Sequence, residues 1–189
     1  MRRLAIILFG LFLLVAANTV SAEPPAPSAV PGKHSDLIEK LSLQYGFNPR
    51  FVQALIWRES RFNAAAHGSH GEIGLMQLKM SVVRDWAKAH KRSVPAAGSV
   101  YDMELNLHIG LWRLDQAMKN WEGYEEQVSL ALFEYNAGRT AILRRLAHCG
   151  GDVSLLLRSY SSGDYAADIL EKYAEFSRLD IPKHELAQN

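Results

Sequence analysis

Apolar residues along this chain recur at intervals of three and four, the period of a helix, and sustained two-residue alternation is absent. Asp36–Tyr45 is a first short helix. Asn48-Pro49 supplies an N-cap followed by proline at the first helical position, and opens a second helix carrying Val52, Leu55, Ile56, Glu59 and Phe62 on one stripe. From Asn63 to Ile73 three alanines, two glycines and two histidines replace the period, which reads as a loop with room for a small turn or short hairpin. Helices follow from Met80 to His90, from an Asp102 cap to near Trp121, and from Tyr124 to Asn136 with a stop at Gly138. Residues 139–148, 153–160 and 164–178 complete the set, and no internal repeat is present. The fold class is all-α, with one domain.

Glu59 is the exception within its stripe, a carboxylate where the spacing calls for an apolar side chain. No Lys or Arg stands three or four residues away along that helix to pair with it. A carboxyl desolvated by apolar neighbours resists ionisation, so it can hold a proton near neutral pH. Such a group serves as a general acid. A competing reading puts Glu59 at the edge of the stripe, reaching water or a distant arginine, as most helix glutamates do.

The ends of the chain and its charge narrow the setting. After Met1-Arg-Arg comes a fourteen-residue apolar run, Leu4 to Ala17, too short to span a bilayer, which takes roughly 20 residues. With Val20, Ser21 and Ala22 behind it, residues 1–22 read as a secretory signal peptide. Residues 23–33 hold four of the seven prolines and are expected to form an extended tether, with the domain over 34–181 and a tail over 182–189. Removing Arg2 and Arg3 with the signal takes the basic count from 21 to 19, against 20 acidic residues. That balance gives no electrostatic case for nucleic acid or an anionic membrane. Cys149 is the single cysteine, so no internal disulfide is possible, and none stands at the cleavage site to carry a lipid. The expectation is a periplasmic or secreted protein with no stable membrane anchor after cleavage. The seven histidines are scattered apart from His67 and His70, and no zinc-type spacing occurs, so neither metal nor cofactor is expected.

Three short motifs then stand in order. Glu59-Ser60 comes first, Gly74-Leu-Met-Gln77 follows with its Gln eighteen residues after the Glu, and Tyr135-Asn-Ala-Gly138 closes the series, with Asn106 and Gly110 between. In this order and spacing they resemble the soluble lytic transglycosylase family of peptidoglycan-cleaving enzymes, over roughly Ser35 to Tyr173. The resemblance implies a lysozyme-like α fold with these motifs along its cleft. It implies that Glu59 acts as both acid and base on the bond from N-acetylmuramic acid to N-acetylglucosamine, leaving a 1,6-anhydro end and using no cofactor. Gln77, Met76, Tyr135, Asn136 and Tyr165 would meet the glycan. Of these, Met76 and Tyr165 read equally well as packed residues, and Asn136 also as part of the turn at Gly138. Ser60, Gly74, Asn106 and Gly138 would support the frame. At most one of Trp57, Trp86, Trp112 and Trp121 is expected to stack on a sugar.

The chain departs from the family pattern at four places. Gly68 stands where many relatives have serine, Lys79 where an apolar residue is common, and Arg113 where an aromatic one is common. Glu134 replaces a frequent alanine beside Tyr135. It either points into the cleft, where a second carboxylate would support hydrolysis, or faces solvent, or pairs with Arg139 or another base. The alternatives to a transglycosylase are therefore a hydrolytic lysozyme using the same acid and a noncatalytic wall-binding protein. The expected partner is the peptidoglycan glycan strand, with a cell-envelope secretion or assembly machine as a further candidate.

Overall fold

A computed structural model describes residues 32–178. The expected signal peptide, the tether up to residue 31 and the tail lie outside them. Eight α-helices follow one another among the described residues: α1 Gly32–Gln44, α2 Pro49–Ser60, α3 Met80–Ala89, α4 Met103–Asn120, α5 Gln127–Ala137, α6 Arg139–His148, α7 Val153–Ser159 and α8 Ser161–Arg178. A 3₁₀ turn at Ala97–Tyr101 leads into α4. None of the described helices is long and apolar enough to cross a membrane.

Side-chain caps account for the starts of α2, α4 and α7. The Asn48 side chain accepts from the Arg50 N–H at 2.8 Å, with Pro49 behind it, and Asp102 and Asp152 cap α4 and α7 through Leu105 and Leu155. Three starts differ from the sequence expectation. Helix α1 begins at Gly32, so its first two residues are ones assigned to the tether. Helix α5 begins at Gln127 because Gly123 to Glu126 is spent on a turn, in which the Tyr124 ring meets the Trp121 ring edge-on at 5.3 Å. Helix α8 begins at Ser161, directly after an extended Tyr160.

The stripe on α2 also ends earlier than its spacing suggests. Val52, Leu55 and Ile56 are fully buried, but Arg61 and Phe62 both take left-handed backbone angles, and the Arg61 N–H closes the helix on the Trp57 carbonyl. Phe62 reaches the core from this turn instead of from the helix. Glu59 is thereby left in the last helical turn.

Two apolar clusters form the interior. The larger gathers α1, α2, α3, α4 and α8 around Ile38, Leu55, Ile56, Met76, Leu107 and Ile169. The smaller joins the end of α4 to α5, α6 and α7 through Trp121, Leu130, Phe133, Ile142 and Leu156. Helix α5 is the shared wall, with Leu132 in the first cluster and Leu130 and Phe133 in the second. Each such side chain, fully buried, contributes about 1.5–3 kcal/mol. Against that background a buried charge is the costly item, so the polar groups left inside are the ones to follow.

Candidate active site

The segment between α2 and α3 is built from turns and two isolated antiparallel bridges, His67 with Ile73 and Ile73 with Leu78. It folds over the end of α2, and the two close a cleft of about 560 Å³ with the C-terminal half of α5 and the start of α8. Asn106, fully buried on α4, fixes this segment. Its amide N–H groups donate to the Ile73 and Val100 carbonyls, each at 2.9 Å, and its oxygen accepts from the Met76 N–H at 2.9 Å. All three of these bonds go to backbone groups, the Ile73 carbonyl sharing its acceptance with the Leu78 N–H.

Two glycines make that approach possible. A Cβ at Gly74, where φ is +75°, would sit 2.5 Å from the Asn106 amide nitrogen, and one at Gly110 would sit 2.2 Å from the Met76 sulfur. Met76, expected among the sugar contacts, is thus turned inward, fully buried against Gly110, and does not line the cleft. Its carbonyl accepts from the Tyr135 hydroxyl at 2.9 Å, which ties α5 to the same turn.

Glu59 points into the cleft from the last turn of α2. Desolvation by the surrounding protein raises its pKa from 4.5 to about 7. A hydrogen bond from Tyr165 and the neighbouring Arg58 charge pull the other way, while the Glu72 carboxylate adds a further push upward. The last turn of a helix, where free carbonyls gather, is also a poor place for added negative charge. The Tyr165 hydroxyl donates to the Glu59 Oε1. Burial first, and then the Glu59 charge, hold the Tyr165 phenol far above its usual pKa, so it stays a donor. Tyr135 is kept protonated in the same way. Arg58 lies against the Tyr165 ring and pairs with Asp168 of α8 at 3.1 Å, fixing the α2–α8 junction behind the acid.

The other residues singled out in the sequence fall as follows. Gln77, with a left-handed φ of 47°, donates its amide to the Gly74 carbonyl at 2.8 Å and presents its side chain at the cleft wall. Asn136 also lines the cleft, and its amide donates to Ser162. Ser60 is buried, its hydroxyl donating to the Ile56 carbonyl, and Gly138, at φ 84°, ends α5 on the Glu134 carbonyl. None of the four tryptophans lines this cleft. Trp86 and Trp121 are buried, Trp112 packs beside His90, and Trp57 is covered by Arg61 and Lys172. His67 bonds to Tyr101 and His70 to Ser69. Among the described residues no group of three His, Cys, Asp or Glu is placed to hold a metal ion.

Glu134 reaches neither the cleft nor solvent. It is completely buried and receives Arg139 at 2.9 Å, Arg113 at 3.4 Å, the Asn120 amide at 3.0 Å and the Trp121 N–H at 2.9 Å. The second carboxylate in the cleft is Glu72, which sequence reasoning passed over. Partial burial opposes its charge, but its own N–H, the His70 N–H and Lys79 outweigh that and hold its pKa below the usual value. The signal available was a lone acid in a glycine-bounded loop, Gly71-Glu72-Ile73-Gly74, and solvated loop acids look the same.

Residues 36–151 match the family model described as the transglycosylase SLT domain. Over 147 residues the chain is 22% identical to membrane-bound lytic murein transglycosylase C of Edwardsiella ictaluri (strain 93-146), covering 75% of this chain and 41% of that protein. It is 26% identical, with the same coverage, to the protein of that name from Pectobacterium atrosepticum. This chain thus spans 41% of the length of those two relatives. The fold is similar to that of the 70 kDa soluble lytic transglycosylase of Escherichia coli, with a TM-score of 0.67, 21% identity, and coverage of 79% of this chain and 25% of that one. An inactive Glu-to-Gln mutant of lytic transglycosylase Slt from Pseudomonas aeruginosa gives 0.66 at 18% identity, covering 81% of this chain and 25% of that one. At these identities the two likenesses are of fold.

Proposed function

Because the chain belongs to the transglycosylase SLT domain family, we propose that it is a peptidoglycan lytic transglycosylase with Glu59 as its single acid and base. The observation that carries this reading is a cleft carboxyl whose pKa of about 7 leaves it substantially protonated at neutral pH, and which a buried tyrosine holds in place. In the first step Glu59 gives its proton to the oxygen linking N-acetylmuramic acid to N-acetylglucosamine. The bond from C1 to that oxygen breaks, and its electron pair leaves with the oxygen. The acetamido carbonyl of the same sugar stabilises the positive charge at C1. In the second step the Glu59 carboxylate takes the proton of the C6 hydroxyl as that oxygen bonds to C1. The 1,6-anhydro ring closes, Glu59 is protonated again, and no water is consumed.

The resting state suits this sequence. Glu59 must hold its proton first and accept one later, and a pKa near the working pH serves both demands. Tyr165 steadies the carboxyl, and the cleft-lining Gln77, Tyr135 and Asn136 are the contacts assigned to the sugars, with Gln77 offering its remaining amide capacity. The test is release of soluble fragments from purified sacculi. Glu59→Gln should lower turnover by roughly 10²- to 10⁴-fold, and near-wild-type turnover would remove Glu59 from the chemistry.

One observation favours a second reading. Glu72 puts a charged carboxylate in the same cleft, where hydrolysis would use it as base toward water. Its engagement by Lys79 and the His70 N–H favours a structural role for it, and the ring-closing reading stands first. Action in the periplasm or outside the cell is part of the same proposal, and rests on the signal-peptide pattern of residues 1–22. Recruitment by an envelope secretion machine is a separate expectation, which co-purification from envelope extracts would test.

A further inference from the structure

Two of the chain's departures from its family pattern are one structural unit. The resemblance set out above marks Arg113 of α4 and Glu134 of α5 as such departures. In the fold the two meet, Arg113 Nη1 lying 3.4 Å from the Glu134 Oε1. An arginine in place of a ring would be hard to hold at a cleft wall without a partner, and the neighbouring helix supplies one.

The pairing leaves charge over. Glu134 is fully buried and is shared with Arg139, so one carboxylate faces two guanidinium groups. Arg139 lies toward solvent, its side chain 43% exposed, while that of Arg113 is 20% exposed and lines the cleft beside Tyr135 and Asn136. The other cations of the cleft are closely matched. Lys79, also a departure from an apolar position, has Glu72 at 3.3 Å, and Arg58 has Asp168 at 3.1 Å. Arg113 therefore carries the excess positive charge on this wall. It does so on a planar fork with more N–H donors than its two contacts to Glu134, the carboxylate and the backbone carbonyl, require.

We propose that Arg113 is a specificity-determining residue that binds a carboxylate carried by the glycan strand lying in the cleft. The inference rests on the reading of the cleft as a peptidoglycan site. A half-buried guanidinium fixed from behind is pre-organised for such an anion, because the Glu134 contacts already hold its orientation. Two sources share this chemistry: the carboxylates of a stem peptide, and the lactyl carboxylate freed when that peptide is removed.

The test measures binding of soluble strands by calorimetry, with Glu59→Gln as the parent so that nothing is cleaved. Three probes are compared: strands bearing stem peptides, strands stripped of peptide by an amidase, and peptide-bearing strands whose carboxylates have been capped as amides. The parent should bind at least one carboxylate-bearing probe roughly 10- to 100-fold more tightly than the capped one, and the probe so favoured identifies the source. Adding Arg113→Gln should abolish the difference. Adding Arg113→Phe with Glu134→Ala, which removes both charges together, should do the same and covers the case in which the single change disturbs the fold. Equal binding of all three probes by the parent, or a preference surviving both changes, would overturn the assignment, as would binding to none. Preference for a carboxylate with no fragments released by the unsubstituted protein would uphold Arg113 while contradicting the cleavage reading.

Discussion

At the scale of single residues, the burial of Glu59 costs the fold stability. Its pKa rises from 4.5 to about 7 on folding, so the folded state holds this proton more tightly than the unfolded chain does. The sign follows: the contribution is fully present below pH 4.5 and is lost as pH rises through about 7. A shift of that size corresponds to roughly 3 kcal/mol. Glutamine has no charge to desolvate, so Glu59→Gln should gain thermal stability over the unsubstituted protein between pH 4.5 and pH 8. Melting curves at the two pH values would show the gap widening toward pH 8, and a constant gap would place Glu59 in water. The sequence carried this much, because an acid on an apolar stripe is a local anomaly. What it could not show is the partner, since Tyr165 lies 106 positions away.

Among elements, the segment between α2 and α3 has little regular hydrogen bonding of its own, and it is fastened by Asn106. Asn106→Ala would remove three buried hydrogen bonds, to the Ile73 and Val100 carbonyls and from the Met76 N–H, although the Ile73 carbonyl keeps the Leu78 N–H. A loss of roughly 2–4 kcal/mol is expected, measured by urea unfolding, together with weaker saccharide binding as Gln77 loses its support. A loss below about 1 kcal/mol would mean that the segment is held by other contacts. The starts of α2 and α4 were legible because caps are local: Asn48 and Asp102 each bond a backbone N–H two or three residues on. The start of α5 was not, since Tyr124 follows the helical period and only its contact with Trp121 shows it to be in a turn. Met76 was ambiguous for a related reason. Its inward position depends on Gly110, a residue of another helix.

For the molecule as a whole, Glu134 sits where the two apolar clusters meet and joins α4, α5 and the start of α6. Removing it alone leaves Arg113 facing Arg139 and the buried Trp121 N–H without an acceptor. Glu134→Ala should therefore cost roughly 2–4 kcal/mol, reduced from the full buried-pair value because Arg139 reaches water. Arg113→Phe added to it should recover part of the loss, and a double-mutant cycle on thermal unfolding measures the coupling. Strict additivity would show that the two departures are independent. The resemblance singles out Arg113 and Glu134 separately, and only the fold shows that they meet.

Ring closure with Glu59 as the single catalytic carboxylate differs from hydrolysis in the fate of water. The most direct measurement is mass spectrometry of fragments released from purified sacculi in ¹⁸O-enriched water, with Glu59→Gln and Glu72→Gln alongside. Ring closure should give 1,6-anhydro ends without ¹⁸O, lost in Glu59→Gln and retained in Glu72→Gln. Reducing ends carrying ¹⁸O, and lost in both variants, would contradict it and make the protein a two-carboxylate hydrolase.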